Sequence, residues 1–557
     1  MVHFLNYIDE AIKNNWDKPA VSNYGAKTYT YSGLAASMKK MHLLFEACGI
    51  EKGDKIAICA RNSAEWCISF LSIVSYDAVA VPLLADFLPS NVADLTRLSG
   101  SKMLILDTPI YDALSRDGAL SQFSSFDGFL GLVDIVSLDA AAGSSKEFVK
   151  MCDAAKSEFA KRFPNGVSKK DVNFCKDSVE SLALISYTSG TSSAPKGVML
   201  RAKSISGNIE VARRLIRQKK GGAVLSMLPL AHIMGLSFDF IFTIAGGCHL
   251  CILTTKPTPA RLLAALADVK PFMFITVPLL IEKIFRSKVI PTLKKPAMRF
   301  LLAIPGIRSL LIKKIRSKVM SVFGENIEYA GLFLGGAAIG KDVDDVMQML
   351  KIPYAVGYGM TECGPLISYK GWSHPMLGNE GGIAAPTIEV RIDSEHPARI
   401  PGEVQVRGDV VTEGYYNNPE ATNAAFTHDG WLKTGDMAIR DRKGHIYIKG
   451  RCKNMILTGS GQNIYPEEIE EMINSLPMVV ESLVVSRKYA IVALVVVDKD
   501  AAAAAGLDKE QLRAEMERQV FALNAKLPAY SQISICETRV EPFEKTPKLS
   551  IKRFMYN

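Results

Sequence analysis

Little in this sequence of 557 residues suits a secreted scaffold, a fibre or a disordered chain. Its ten cysteines are scattered from Cys48 to Cys536, and only Cys248 and Cys251 stand at C-x-x-C spacing, inside an apolar stretch that reads as a buried strand. A zinc site needs a second such pair, so these thiols read as core, and a reducing, cytoplasmic setting is expected. There are no internal repeats and no long linker rich in Gly, Pro or Ser. The first twenty residues carry charges every few positions, which does not read as a signal peptide. Between Gly221 and Thr255 the only formal charge is Asp239, which invites a membrane-span reading. Pro229, His232, Asp239 and Gly246–Gly247 interrupt that stretch, and it reads instead as strand, loop, short helix and strand in a buried core.

What is present is the composition of a large globular chain: 48% hydrophobic and 22% charged residues, long enough for two to four domains. The net charge of +9 is local, because residues 281–323 hold eleven Lys or Arg against the single acid Glu282. A patch of this kind is not the overall bias of a nucleic-acid-binding protein. Apolar runs at Phe300–Ile304 and Leu310–Ile312 lie within it, and two readings stand side by side: peripheral contact with an anionic membrane, or a solvated helical face over an ordinary core.

Apolar strands alternate with helical stretches over the first four hundred or so residues, which predicts α/β layers. Lys55–Cys59, Asn62–Val74 and Val79–Leu83 read as strand, helix and strand, and Leu182–Thr188 as a strand entering a Ser/Thr/Gly loop. From about Gly402 short strands with tight turns take over, with a hairpin of Trp431–Ile439 and His445–Lys449. A helix capped by Asp508 and Gln511 is expected to bury Leu512, Met516, Val520, Leu523 and Leu527 on one face. The domain boundary falls near Lys453, between a large domain (1–452) and a small mobile α+β domain (453–557).

The strongest local signal is Tyr187-Thr-Ser-Gly-Thr-Ser-Ser-Ala-Pro-Lys-Gly197 after a buried strand. Hydroxyls, flexible glycines and one lysine supply the donors and the cation that a polyphosphate needs. No glycine precedes Lys196 directly, so this is not a Walker A loop. In order follow Leu228-Pro-Leu-Ala-His232-Ile-Met-Gly235, Gly335-Gly-Ala-Ala338, Gly357-Tyr-Gly-Met-Thr-Glu362 and Gly402-Glu-Val-Gln-Val-Arg-Gly408. Trp431-Leu-Lys-Thr-Gly-Asp436, Gly450-Arg451 and Gly461-Gln-Asn-Ile-Tyr-Pro-Glu-Glu-Ile-Glu470 complete the series.

The order and spacing of these motifs resemble the AMP-forming adenylating superfamily, which includes acyl-CoA synthetases, peptide-synthetase adenylation domains and beetle luciferases. The resemblance runs from Tyr29-Thr-Tyr-Ser-Gly33 to Arg553 and is nearest to bacterial synthetases for medium- to long-chain fatty acids. It implies that a carboxylate attacks the α-phosphate of ATP to give acyl-adenylate and pyrophosphate, and that the thiol of coenzyme A then displaces AMP. It implies that Thr188, Ser189, Gly190, Thr191 and Lys196 hold the β- and γ-phosphates. Glu362, with Thr188, would ligate Mg²⁺, for which a hard carboxylate oxygen is suited. Thr361 would donate to the α-phosphate, Tyr358 and Gly357 with Gly336–Ala337 would flank adenine, and Asp436 and Arg451 would hold the ribose. His232 would sit near the acyl carboxylate and the thiol path, and Met234, Phe238, Gly335 and Gly357 would line the acyl tunnel. Lys453 matches the hinge about which the small domain rotates between the two half-reactions, bringing the loop at Gly459–Gly461 towards the thiol.

The sequence departs from the family at three places. The family's Pro-Lys-Thr-x-x-Gly-Lys-Ile-x-Arg is here Glu544-Lys-Thr-Pro-Lys-Leu-Ser550-Ile-Lys-Arg553, so Ser550 stands where the catalytic lysine is expected. A serine brings no charge between two anions, and adenylation is expected to slow by about 10²-fold or more unless Lys548 or Lys552, two residues to either side, substitutes. Ser193 replaces a glycine, and Asp77 another, the latter read as a harmless change at strand entry. Three functions remain open: a fatty acyl-CoA ligase, an acyl-AMP ligase that loads an acyl carrier protein, and a ligand-binding member unable to adenylate. The chain is taken as a monomer or homodimer.

Overall fold

The computed structural model describes residues 1–556 except 177, 189–194, 256–257, 372–379, 458–461, 488–489 and 546–550. Two large sheets share one core, and two small sheets, of three and two strands, belong to the C-terminal domain. In the six-stranded sheet the order is Gly131–Asp134, Ser101–Leu106, Lys55–Cys59, Val79–Leu83, Leu182–Thr188 and Lys196–Arg201, parallel except for the last pair. Such central strands are covered on both faces and read as continuous apolar runs; every residue of Val79–Leu83 is buried.

The expected strand–helix–strand unit at residues 55–83 is present, with its helix at Ala64–Ser75. Ser63 caps that helix by accepting from the Trp66 amide at 3.1 Å. All twelve of its residues are buried, and its serines stay satisfied by returning their hydroxyls to the preceding turn: Ser69 to Glu65 O at 2.9 Å and Ser72 to Ile68 O at 2.7 Å. Trp66 stacks on Phe70, and both meet Phe240 edge-on, which joins this helix to the segment after His232. Asp77, at the entry to Val79–Leu83, takes φ +65°, a left-handed conformation that favours glycine. The reading of Asp77 as a harmless change is therefore corrected: it keeps a glycine's backbone geometry at a conformational cost.

The larger sheet has thirteen strands. Its parallel part runs through Pro19–Asn23, His249–Ile252, Ala223–Ser226, Met273–Thr276, Gly331–Gly335 and Tyr354–Gly359. From Leu366–Lys370 onward it turns antiparallel, earlier than the change of texture expected near Gly402. The expected hairpin is Leu432–Arg440 paired with Ile446–Arg451. The stretch Gly221–Thr255 is strand, loop, helix and strand as expected, but its helix opens with a π-helical segment, Gly235–Ile241. No helix among the described residues is long and apolar enough to cross a membrane. Cys248 and Cys251 are free thiols, and burial pushes that of Cys248 up to about 12.

In the C-terminal domain Val479–Arg487, Ala490–Val497 and Ile535–Arg539 form the three-stranded sheet. The helix Lys509–Ala522 begins with the expected capping box of Asp508 and Gln511 and buries Met516 and Val520. It stops short of Leu523, where the chain tightens into a 3₁₀ turn, so Leu527 lies beyond the helix.

Candidate functional site

The site lies where the parallel strands of both sheets end. Leu182–Thr188 and Lys196–Arg201 form a hairpin in which Thr188 pairs directly with Lys196. Ser189, Gly190, Thr191 and Ser193, between these strands in sequence, lie outside the described residues, as do Gly459–Gly461, Lys548 and Ser550. Across Lys196–Arg201 runs the segment 412–416: Thr412 Oγ1 donates to Met199 O at 2.6 Å, Met199 N to Gly414 O at 3.1 Å, and Tyr416 N to Gly197 O at 2.8 Å. This cross-stitching sets the Tyr415 ring 5.0 Å from the Lys196 ammonium and lets the Tyr415 hydroxyl donate to Glu362 Oε1 at 2.9 Å. Burial and the Glu362 charge push the Tyr415 phenol upward, so it stays a donor.

Glu362 and Thr361 are buried in a single turn, Thr361–Cys363. Asn208 anchors that turn from both sides, donating to Cys363 O at 3.0 Å and accepting from Leu366 N at 2.9 Å. Gly364 is required there: its φ is +69°, and a Cβ would stand 2.8 Å from Ser204 O. Only one oxygen of Glu362 is engaged among the described residues, which leaves the other to a hard cation. The residues expected to hold Mg²⁺ thus fit one.

A second cluster forms around Asp436, which is 6% exposed. Tyr358 donates to its Oδ2 at 2.7 Å, and Arg451 reaches its Oδ1 at 2.8 Å. Burial raises the Asp436 carboxyl, while Arg451 and Tyr358 act to keep it ionised. Burial also holds the Tyr358 phenol well above its usual range. Each Asp436 oxygen already has one donor and retains lone-pair capacity for another, as ribose hydroxyls would require. The register places Gly335 beside Gly357 on adjacent strands, with Gly336 and Ala337 exposed beyond them.

Gly335 faces Met234, whose Cε would lie 2.9 Å from a Cβ at that position. Three of the four residues expected along the acyl tunnel, Met234, Gly335 and Gly357, are therefore brought together; Phe238 is half-buried on the π-helical segment. His232 is half-buried in the loop before that segment. Asn62 clamps this loop by donating to Leu228 O at 2.7 Å and accepting from Leu230 N at 2.9 Å. Asp239, wholly buried, accepts from Ser226 Oγ at 3.0 Å through Oδ2, while its Oδ1 is buried with no hydrogen-bond partner among the described residues. Lys453 is exposed in the 3₁₀ turn Cys452–Asn454. Before it Lys449, on a strand of the larger sheet, binds Glu468 of the helix Pro466–Asn474 at 2.7 Å, and after it Asn454 binds Glu467 of the same helix at 2.6 Å.

Asn62, Asn208, Asp239 and Tyr415 were absent from the sequence-based set. Tyr415 carried a faint signal in Gly414-Tyr-Tyr-Asn-Asn-Pro419, an aromatic pair beside a turn.

Two family models match the chain: "AMP-binding enzyme" over residues 8–416, and "AMP-binding enzyme C-terminal domain" over residues 453–556. The 4-coumarate–CoA ligase CCL1 of Humulus lupulus is 26% identical over 502 residues, spanning 87% of this chain and 81% of that protein. A long-chain-fatty-acid–CoA ligase of Yersinia pestis is 26% identical over 506 residues, spanning 84% of this chain and 80% of that protein. Among solved structures, ATP-bound MatB from Rhodopseudomonas palustris superposes with a TM-score of 0.75 at 22% identity, covering 99% of this chain and 98% of its own. The o-succinylbenzoate CoA synthetase MenE from Bacillus subtilis, with its acyl-adenylate, gives 0.74 at 20% identity over 99% and 98%.

Proposed function

Because the chain belongs to the AMP-binding enzyme family, we propose that it is an AMP-forming acid–CoA ligase whose acid is a medium- or long-chain fatty acid. The observation that carries the reading is the closeness of two clusters, near enough for the Glu362 charge to act on the Asp436 carboxyl. Asp436, Tyr358 and Arg451 form a nucleoside end, and Glu362, Tyr415 and Lys196 a polyphosphate end. Joining a carboxylate to the α-phosphate gathers several negative charges, and a site for that step needs fixed cations and donors more than a nucleophile of its own. Lys196 supplies the cation, and the Thr361 turn is rigidly anchored through Asn208. Glu362, oriented by Tyr415, would hold Mg²⁺, which when bound neutralises phosphate charge. His232 and the clamped loop around it wall the acyl side.

Two features support a fatty acid: the side-chain-free floor at Gly335 and Gly357, and the flexible, apolar Met234 lying on it. The small domain is proposed to turn about Lys453, releasing the Lys449–Glu468 tie, so that coenzyme A meets the adenylate from another face. Ser550 favours a second reading, a member that holds nucleotide and acyl group but adenylates poorly.

The test is pyrophosphate release across short to long fatty acids, 4-coumarate and o-succinylbenzoate, with and without coenzyme A. Release that rises with fatty-acid chain length and yields acyl-CoA is expected. Turnover confined to an aromatic acid overturns the fatty-acid assignment, and acyl transfer only to an acyl carrier protein overturns coenzyme A as acceptor.

A further inference from the structure

The basic segment departs from an ordinary helical face in how little of it is buried. Pro296–Ala303 is a helix with no buried residue, and the following helix, Pro305–Phe323, buries only Val319, Met320 and Phe323 near its C-terminal end. The two helices follow one another with only Ile304 between them, and the stretch 294–318 contains no buried residue. That stretch contains eight Lys or Arg and no acid. Arg316 is paired with Glu328, while the other seven cations have no acidic partner among the described residues. Interspersed with them, Phe300 and Leu310 are each 70% exposed, and Ile307 beside the turn is 37% exposed.

We infer that this helical pair is a docking surface for an anionic lipid bilayer. Leu310, Lys313, Lys314, Ser317, Lys318 and Ser321 share one face of the second helix and border an open trough of about 430 Å³. Three ammonium groups and two hydroxyls along a shallow trough are donors for headgroup phosphates. Phe300, Ile307 and Leu310 can enter the headgroup–acyl boundary, while the long lysine stems let their charges stay at headgroup level. A folded acidic protein fits the same charge but not the same pattern. The exposed apolar side chains stand singly among cations, whereas protein interfaces exclude charge from an apolar centre. The inference does not depend on which acid is activated.

The test is sedimentation of the full chain with phosphatidylcholine vesicles, with and without phosphatidylglycerol, at low and high salt. Binding that requires phosphatidylglycerol and weakens with salt is expected. Near an anionic surface each cation strengthens partitioning about fivefold, so Lys313→Gln, Lys314→Gln and Lys318→Gln combined should weaken it on the order of 100-fold. Phe300→Ser with Leu310→Ser should weaken it about tenfold or more at unchanged charge. Thermal melts and vesicle-free pyrophosphate release serve as controls, and both variants should match the parent in each. No binding to phosphatidylglycerol vesicles, or equal binding by parent and both variants, overturns the inference. Capture of an acidic acyl carrier protein without vesicle binding overturns it in favour of a protein partner.

Discussion

Asp239 offers a sharp test of how the His232 loop is supported. Its carboxyl is wholly buried against Ser226, and burial pushes it up to about 8 from an ordinary value of 3.8. The unfolded chain releases this proton near the ordinary value, whereas the folded chain keeps it until about pH 8. Across that window the folded state binds one more proton than the unfolded state, so stability must fall as pH rises. The slope for one proton is about 1.4 kcal/mol per pH unit, which sets a ceiling on the order of 5 kcal/mol over the window. Asp239→Asn preserves the shape and the acceptor for Ser226 but cannot ionise. Its stability relative to the parent is expected to improve steadily from about pH 5 to about pH 8 and level off above that. Urea unfolding of both proteins, followed by tryptophan fluorescence, reads the difference, because Trp66 packs edge-on against Phe240 beside Asp239. A difference that stays flat across the window would refute the reasoning, since the carboxyl would then be equally ionised in both states.

Three further outcomes follow from the site. Tyr415→Phe removes the donor that orients Glu362 and is expected to raise the Mg²⁺ concentration for half-maximal pyrophosphate release about tenfold or more; an unchanged Mg²⁺ titration rejects Tyr415 as a positioning residue. Asp436→Ala strands Tyr358 and Arg451 and is expected to raise the KM for ATP by about 10- to 100-fold, with Asp436→Asn intermediate; an unaltered KM places the nucleoside elsewhere. Ser550→Lys is expected to accelerate adenylation by about 10²-fold, measured as pyrophosphate release without coenzyme A, unless Lys548 or Lys552 already bridges the reactants, in which case the gain vanishes.

The residues that touch ligands in such a site announce themselves because the chemistry needs particular side chains within one short loop. Thr188, Lys196, Tyr358, Thr361, Glu362, Asp436 and Arg451 stand out as candidates for that reason, and the Leu432–Arg451 hairpin and the Asp508 capping box, whose signals are local, are both present. The residues that hold these candidates were not legible in the sequence. Asn62 meets Leu230 across 168 positions, Asn208 meets Leu366 across 158, and Tyr415 meets Glu362 across 53. No spacing rule links such pairs, and an isolated asparagine or tyrosine carries no periodicity. Asp239 was visible only as a break in an apolar run, since a π-helical turn has no hydrophobic period that separates it from a buried α-helix. Asp77 shows the same limit in the backbone: its type is plain in the sequence, but its left-handed φ follows from the way the buried helix must hand over to the next strand. The two kinds of residue call for different experiments. Replacing a ligand-touching residue should alter a binding or rate constant directly, whereas replacing Asn62, Asn208 or Asp239 should alter it only as far as the loop it holds shifts, and should leave a trace in stability as well.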